Sequence, residues 1–557
     1  MRGCHSGAQS SKKPTYLLEN ALVFDGTGSK PKEGSVLIVS GKVAQWGYIP
    51  SSRVPQEAER MDLRGLAVSP GFINIHSHSD TQMILHPECK TLLAQGITTE
   101  VIGNCGGSDL DTSGWNDGSW QDIFDNSDVK EKWDGVRGYL DAVRAARPAA
   151  NTAALFGHGD VRRRIVGDDG RPMTPDELKQ AEAIAQRWME EGAFGVSSGL
   201  EYVPGRFANV EELAAVSRPV RAFGGFHACH MRNEGPDLLR SIQECIDVTA
   251  KSGVRFEVSH IKACGPDNWG KVREALEMLD NQRAQGLEMT ADFYPYLASS
   301  TGLAIVLPDW VLEKGKQNAL EGLRQADFRR RAEEESDRRT VIQGGWDRIV
   351  ICAVKKPENK WMEGKNLGEI AASQGKSPVV TAIDLLLDEN LEVRIARFAM
   401  SEEDMITALT HPETCVVTDG SNTVPEKGKP HPRSVGTFPR VLGRYAREKG
   451  VISMEEAVRK MTSLPARRLG LTDRGLVAPG YWADLVVFDP DTIADKATYE
   501  DPWQYPVGIF AVFVNGEMVV KDGELTGARP GMALRAARMR SEPKSGFSQG
   551  HVRAPCA

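Results

Sequence analysis

Gly71-Phe72-Ile73-Asn74-Ile75-His76-Ser77-His78 is an apolar run that stops at two histidines one residue apart. Side chains of an extended segment alternate with a period of two, so His76 and His78 project to the same side. The same arrangement recurs along the chain: a short apolar run ends in a polar group, and helical periodicity follows. Ala67–His76, Thr98–Gly103, Thr152–Gly157, Phe194–Ser198, Gly225–His230, Arg255–His260, Glu288–Phe293 and Thr414–Thr418 read as eight strands, the number a closed parallel barrel needs. Between them lie helix starts. Thr174-Pro-Asp-Glu177 is a capping box with proline at the first helical position, and Leu178, Ala181, Ile184, Ala185 and Trp188 follow on one face. Asn209 to Glu212 and Ser453 to Glu456 open further helices in the same way.

The two ends of the chain read differently. Tyr16–Gly47 alternates apolar and polar residues around a Ser40-Gly41-Lys42 turn, and Ala483–Asp489, Ile509–Asn515 and Glu517–Lys521 do so around Asn515-Gly516. The predicted fold is therefore α/β: a (β/α)8 TIM barrel over 67–474, with a small β-sandwich domain formed by both termini, 16–66 plus 475–535. The stretch 302–400 exceeds a normal loop and is expected to be an inserted subdomain. Gly107–Asp134, with Trp115, Trp120 and Trp133, is a second long loop, placed to cover the barrel mouth. Residues 1–15 and 536–557 read as tails.

Composition narrows the function. The net charge of −8 over 557 residues argues against a nucleic-acid binder, and Gly and Asp interrupt every long apolar stretch, so no membrane-spanning helix is predicted. The nine cysteines form no CxxC pair and no secretory leader is visible, which points to a reducing, cytoplasmic setting rather than a disulfide scaffold. Homo-oligomer formation is left open by the sequence.

The active site of a parallel barrel lies at the C-terminal ends of its strands. In order, those ends carry His76 and His78, Asn104 and Cys105, His158, Glu201 and Tyr202, His230, His260 and Lys262, Tyr294, and Asp419. Any one histidine is more simply a satisfied polar residue. The chain has only 11 histidines, however, and their convergence on strand ends with a thiol and carboxylates points to a metal site of the kind zinc prefers. His227 lies three residues before His230 and is expected to face away into the core, with Cys229. His158 reads as an orienting partner of a ligand, whereas His86, His411 and His431 read as loop or turn residues. Glu333-Glu334-Glu335 reads as a solvated face.

The chain resembles the amidohydrolase superfamily, and within it the D-aminoacylase (N-acyl-D-amino-acid deacylase) family. The resemblance runs from Gly71–His78 to Gly480–Phe488 and is carried by Gly103-Asn-Cys-Gly106, His230-Met-Arg-Asn-Glu234, Ser259-His-Ile-Lys262 and His431-Pro-Arg-Ser-Val-Gly-Thr-Phe-Pro-Arg440. It implies zinc-dependent hydrolysis of N-acyl-D-amino acids, with Cys105, His230 and His260 on a tightly bound Zn2+. His76, His78 and Asp419 would line a second, weaker position, with Asp419 as general base and then acid. The lysine that most amidohydrolases place on strand four is missing from Gly195–Glu201, which fits a cysteine-ligated site and leaves Glu201 open as a further ligand. The resemblance also points to Lys262, Tyr294 and Arg433 as partners of the substrate carboxylate; Ser299, Ser300 and Tyr202 are further substrate-side candidates. Arg206 and Arg232 are the candidate cations for an acidic substrate side chain. The competing readings are a cyclic-amide hydrolase of the dihydropyrimidinase type, an isoaspartyl dipeptidase, and a scaffold that has lost catalysis.

Overall fold

The computed structural model describes residues 13–112, 119–127, 129–167, 169–425 and 429–536. Most of both predicted tails, Trp115 and the side chain of Trp120 lie outside the described residues.

Eight parallel strands form the central sheet: Phe72–Asn74, Ile97–Ile102, Asn151–Gly157, Gly195–Gly199, Phe226–His230, Arg255–Val258, Met289–Phe293 and Thr414–Val416. Each pairs with the next in sequence order. The first and last strands meet through side chains and rim backbone. Asn74 Oδ1 accepts from Thr418 N at 2.9 Å, Asp419 N donates to His76 O at 3.1 Å, and His78 N donates to Gly420 O at 2.7 Å. Barrel closure and the placement of the candidate ligands His76, His78 and Asp419 are thus one set of bonds.

The first predicted strand, Ala67–His76, is divided. Ala67–Pro70 pairs antiparallel with Leu485–Phe488 in another sheet, and only Phe72–Asn74 enters the barrel. Pro70 has no N–H to extend a ladder, and Gly71 packs so close to Thr98 that a Cβ there would lie 2.2 Å from its Oγ1, so the chain changes sheets at this dipeptide. The other strands start and stop within two residues of their predicted limits.

Alternation sorts each strand. On the fifth, Phe226 and Ala228 join Ile73, Val101, Leu155 and Cys415 in the barrel interior, so His230 points inward at the rim. Cys229 packs on the opposite face, in the cluster that holds the helices against the sheet. His227 also faces that way, buried between Ser198 Oγ (2.8 Å) and Ser217 Oγ (2.9 Å). Helix Pro175–Glu190 starts with both halves of its Thr174/Glu177 capping box formed and buries Ala181, Ala185 and Trp188. Asn209 and Ser453 cap their helices through Glu212 N and Glu456 N.

A nine-stranded sheet combines strands from both ends of the chain, joined where Ala67–Pro70 meets Leu485–Phe488. One face of it has a core of its own, where the Tyr16 and Phe513 rings meet edge to face at 5.1 Å. Its Ser40-Gly41 and Asn515-Gly516 turns both hold two successive residues at positive φ, as tight hairpins require.

Between the seventh and eighth barrel strands, Ser299–Gly302, Arg394–Arg397 and Ile349–Ala353 form a three-stranded antiparallel sheet. Helices including Ala326–Ile342 and Pro378–Asp388 cover it, with a core of their own around Leu303, Leu323, Leu386 and Ile395. The loop 107–134 does not cap the barrel in its described part. Leu110, Ile123, Val129 and Trp133 join the main helical core, and Trp133 packs on Tyr139. Burial of these four apolar side chains takes the described part inward.

Gly103 connects the second strand to Cys105 at φ +80°, and a Cβ on it would sit 1.9 Å from Leu155 O. Backbone overlap and left-handed strain together predict that Gly103→Ala loses at least about 2 kcal/mol of stability. Thermal unfolding beside the wild type checks this, and an unchanged midpoint would contradict it.

Candidate metal centre

Three rim residues leave their strands in the left-handed region: Cys105 (φ 55°), His260 (φ 37°) and Asp419 (φ 47°). Non-glycine residues avoid this region at a cost of about 1–3 kcal/mol each. Here it turns three strand ends toward a common point. Cys105 Sγ lies 3.4 Å from His76 Nε2, 3.7 Å from His230 Nδ1 and 3.6 Å from His260 Nε2, and the last two nitrogens are 2.8 Å apart. A tetrahedral zinc ion with ordinary bond lengths sets S···N edges of about 3.6 Å and N···N edges of about 3.3 Å. The two S···N distances to His230 and His260 match those edges, while the two ring nitrogens lie closer together than an ion would hold them and would have to part by about 0.5 Å to bind it. Cys105 also belongs to a second group, with His76, His78 and Asp419, in which Asp419 Oδ1 is 3.0 Å from His78 Nε2 and 3.4 Å from His76 Nε2.

Behind each inward-facing ring stands a carboxylate. His76 Nδ1 is 3.2 Å from Asp292 Oδ2, His230 Nε2 is 3.0 Å from Glu201 Oε2, and His260 Nδ1 is 2.9 Å from Glu234 Oε1. Such partners select the tautomer, orient the ring and raise its basicity as a ligand. The other oxygen of Asp292 accepts His260 N–H at 2.6 Å, and Lys262 Nζ donates to Glu234 Oε1 at 2.6 Å. Glu201, the residue that follows the lysine-free fourth strand, therefore reaches a ligand ring from behind.

Charge follows from these contacts. Burial alone would raise the Cys105 thiol, but the His76 ring and hydrogen bonds from His230 and His260 outweigh it and hold the thiol well below its ordinary value. Burial would likewise raise Asp419; Arg433, His76 and His260 outweigh it and keep the carboxyl well below the usual range. Arg433 Nη1 donates to Asp419 Oδ2 at 2.7 Å, and its guanidinium lies 4.6 Å from the Tyr294 ring centre. Thiolate and carboxylate are the forms that bind metal.

The centre opens into a cavity of about 370 Å³ lined by Glu201, Tyr202, Lys262, Tyr294, Ser299, Ser300, Gln343, Arg394 and Arg397 besides the ligands. Tyr202 hydrogen-bonds Thr301 Oγ1 at 3.2 Å, tying the fourth strand's end to the insert. Tyr294 lines the cavity, its hydroxyl is buried with no partner among the described residues, and burial keeps it protonated as a donor. Arg433 is buried beside it rather than on a surface loop; residues 426–428 of the preceding loop lie outside the described residues.

Several sequence expectations change. His158 orients no ligand: its Nε2 is 2.8 Å from Glu212 Oε1, and Glu212 Oε2 accepts from Arg162 at 2.6 Å, because the helix starting at His158 carries the ring outside the barrel. His431 is not a simple turn residue. It is buried, its Nε2 donates to Ala298 O at 3.0 Å and its Nδ1 accepts from Arg433 N at 3.0 Å, so it seats the arginine. Arg232 is held by Glu244 at 2.8 Å and by Ala208 O, and Arg206 pairs with Asp309 at 2.7 Å; neither lines the cavity. Asp292 and the orienting role of Glu234 are not among the expectations from sequence. Asp292 stands two residues before Tyr294 between apolar neighbours, and a carboxylate in the middle of a buried strand was the available signal.

Among known proteins, the amidohydrolase family profile matches residues 59–526. A D-aminoacylase of Alcaligenes xylosoxydans xylosoxydans is 34% identical over 95% of this chain and 99% of its own length. A solved D-aminoacylase, described as having a binuclear metal centre, superposes with a TM-score of 0.78 at 34% identity, covering 93% of this chain and 99% of the other. The N-acyl-D-glutamate deacylase of Bordetella bronchiseptica, solved with zinc and a phosphonate that mimics the tetrahedral intermediate, also gives 0.78, at 33% identity over 94% of this chain and 100% of the other.

Asp292→Asn would replace one acceptor with an N–H that faces either His76 or the His260 amide. Zinc affinity should fall about 10–100-fold, read by competition with a chromophoric chelator. Wild-type affinity in this variant would show that Asp292 does not position the ligands.

Proposed function

This chain belongs to the amidohydrolase family, and we propose from that premise that it hydrolyses the amide bond of N-acyl-D-amino acids, releasing a carboxylate and a free D-amino acid. The observation that carries the reading is the Cys105–His230–His260 donor set beside Asp419, at the floor of a cavity with an unpartnered Tyr294 hydroxyl. Its near full-length similarity to D-aminoacylase supports the choice of substrate.

In this reading Cys105, His230 and His260 hold one Zn2+ tightly, and His76, His78 and Asp419 form a weaker second position. Zinc held there would supply Lewis acidity for the amide carbonyl and would lower the pKa of a bound water to about 7. Asp419 is ionised and within reach of the same point, so it takes the proton of the attacking water as oxygen adds to the carbonyl carbon. The same carboxyl then gives that proton to the amide nitrogen as the C–N bond breaks, which leaves the products balanced. Arg433 keeps Asp419 ionised before each cycle; it stands behind Asp419 rather than on the cavity wall, and with Lys262 and Tyr294 Oη it is the proposed partner of the substrate carboxylate. Ser299, Ser300 and Tyr202 shape the wall next to the scissile bond.

Among the described residues no helix is long and apolar enough to cross a membrane. The seven free cysteines there support a reducing, cytoplasmic setting for a small-molecule hydrolase.

The test is amine release from matched N-acetyl-D- and N-acetyl-L-amino acids, with zinc or with a chelator. The D series alone should turn over, and chelation should abolish turnover. Asp419→Asn should lower kcat about 10²–10⁴-fold. Turnover of the L series at equal rate, or activity indifferent to chelation, would contradict the reading.

A further inference from the structure

The cavity wall carries two arginines beyond the groups proposed to hold the one carboxylate of an N-acyl amino acid. Each carboxylate lining it is already engaged at the metal centre: Glu201 by His230, Glu234 by His260 and Lys262, and Asp419 by His78 and Arg433. Two guanidinium groups that the insert places on the cavity wall are not matched in this way. Arg397 is buried and donates only to the neutral Gln343 Oε1, and exposed Arg394 has no hydrogen bond or ion pair to a described residue. Both line the cavity, and among the described residues no other carboxylate lines it to neutralise them.

Their placement is built into the insert. In the three-stranded sheet Arg397 stands opposite Ser299 and Arg394 opposite Gly302. At about 3.4 Å per residue the two Cα atoms are roughly 10 Å apart along the strand. The strand therefore runs from beside the proposed scissile-bond wall at Ser299 outward along the cavity, with a cation at each end. An uncompensated arginine in a partly water-excluded cavity favours an anion, and its fork matches a carboxylate.

Resting on the deacylase reading above, we propose that Arg394 and Arg397 form a second carboxylate subsite, so that this chain prefers N-acyl-D-amino acids that carry an additional carboxylate. That second carboxylate has two chemical sources, an acidic amino-acid side chain or a dicarboxylic acyl group. Both present the same group to the same strand.

The zinc-loaded protein is compared on N-acetyl-D-glutamate, N-succinyl-D-leucine and N-acetyl-D-leucine, in the wild type and in Arg394→Gln and Arg397→Gln. The wild type should show kcat/KM at least tenfold higher on one of the first two than on N-acetyl-D-leucine, and which one identifies the source. That advantage should shrink at least tenfold in one or both variants. A wild type that favours N-acetyl-D-leucine, or an advantage that survives in both variants, overturns the subsite while leaving the deacylase reading intact. Turnover of none of the three overturns the deacylase reading and the subsite with it. The wild-type ranking needs no variant, so a misfolded substitution does not remove the test.

Discussion

Asp292 accepts two hydrogen bonds inside the barrel, from the His76 ring at 3.2 Å and from the His260 backbone at 2.6 Å. Through it the seventh strand fixes a side chain at the end of the first and a left-handed corner at the end of the sixth. A buried carboxylate without such donors would cost several kcal/mol, so the rings and the strand ends are held in register by the need to satisfy it. The rest of the centre is arranged on the same rule. Glu201 stands behind His230, and Glu234 behind His260, so the ring nitrogens that remain converge on Cys105.

This arrangement concentrates strain and charge at one end of a stable frame. The positive φ values at Cys105, His260 and Asp419 are unfavourable, and a buried thiolate and carboxylate are costly without cations. The barrel interior and the helix-packing cluster absorb that cost, and Arg433, seated by His431, supplies the compensating charge to Asp419. The insert then completes the cavity, since Tyr202 meets Thr301 and Arg394 and Arg397 line it from the strand paired with Ser299–Gly302. Metal centre and substrate wall come from different parts of the chain, which allows the wall to vary while the centre stays the same.

Much of this was legible in the residues. Alternation along Phe226–His230 correctly separates inward His230 from outward His227, and the Thr174–Glu177 box marks a helix start because capping is a local hydrogen-bond pattern. Where the sequence misled, long-range packing decided. Nothing local shows that the chain changes sheets at Pro70-Gly71, because the cause is Thr98 from a neighbouring strand. His158 and His431 are equally plain as single letters; only their partners, Glu212 and Arg433, separate a core histidine from one that seats a site residue. Arg394 and Arg397 are some 160 residues beyond His230, and their place on the cavity wall follows from pairing with Ser299–Gly302 rather than from any motif.

The central claim is that one cysteine and two histidines, turned together at the barrel rim, ligate the tightly bound ion. X-ray absorption at the zinc edge tests it most directly on protein loaded with one equivalent of zinc. A sulfur neighbour at about 2.3 Å alongside nitrogen neighbours at about 2.0–2.1 Å is the predicted spectrum, with the sulfur shell lost in Cys105→Ser. A shell of nitrogen and oxygen alone, or a sulfur shell that persists in that variant, would contradict the account.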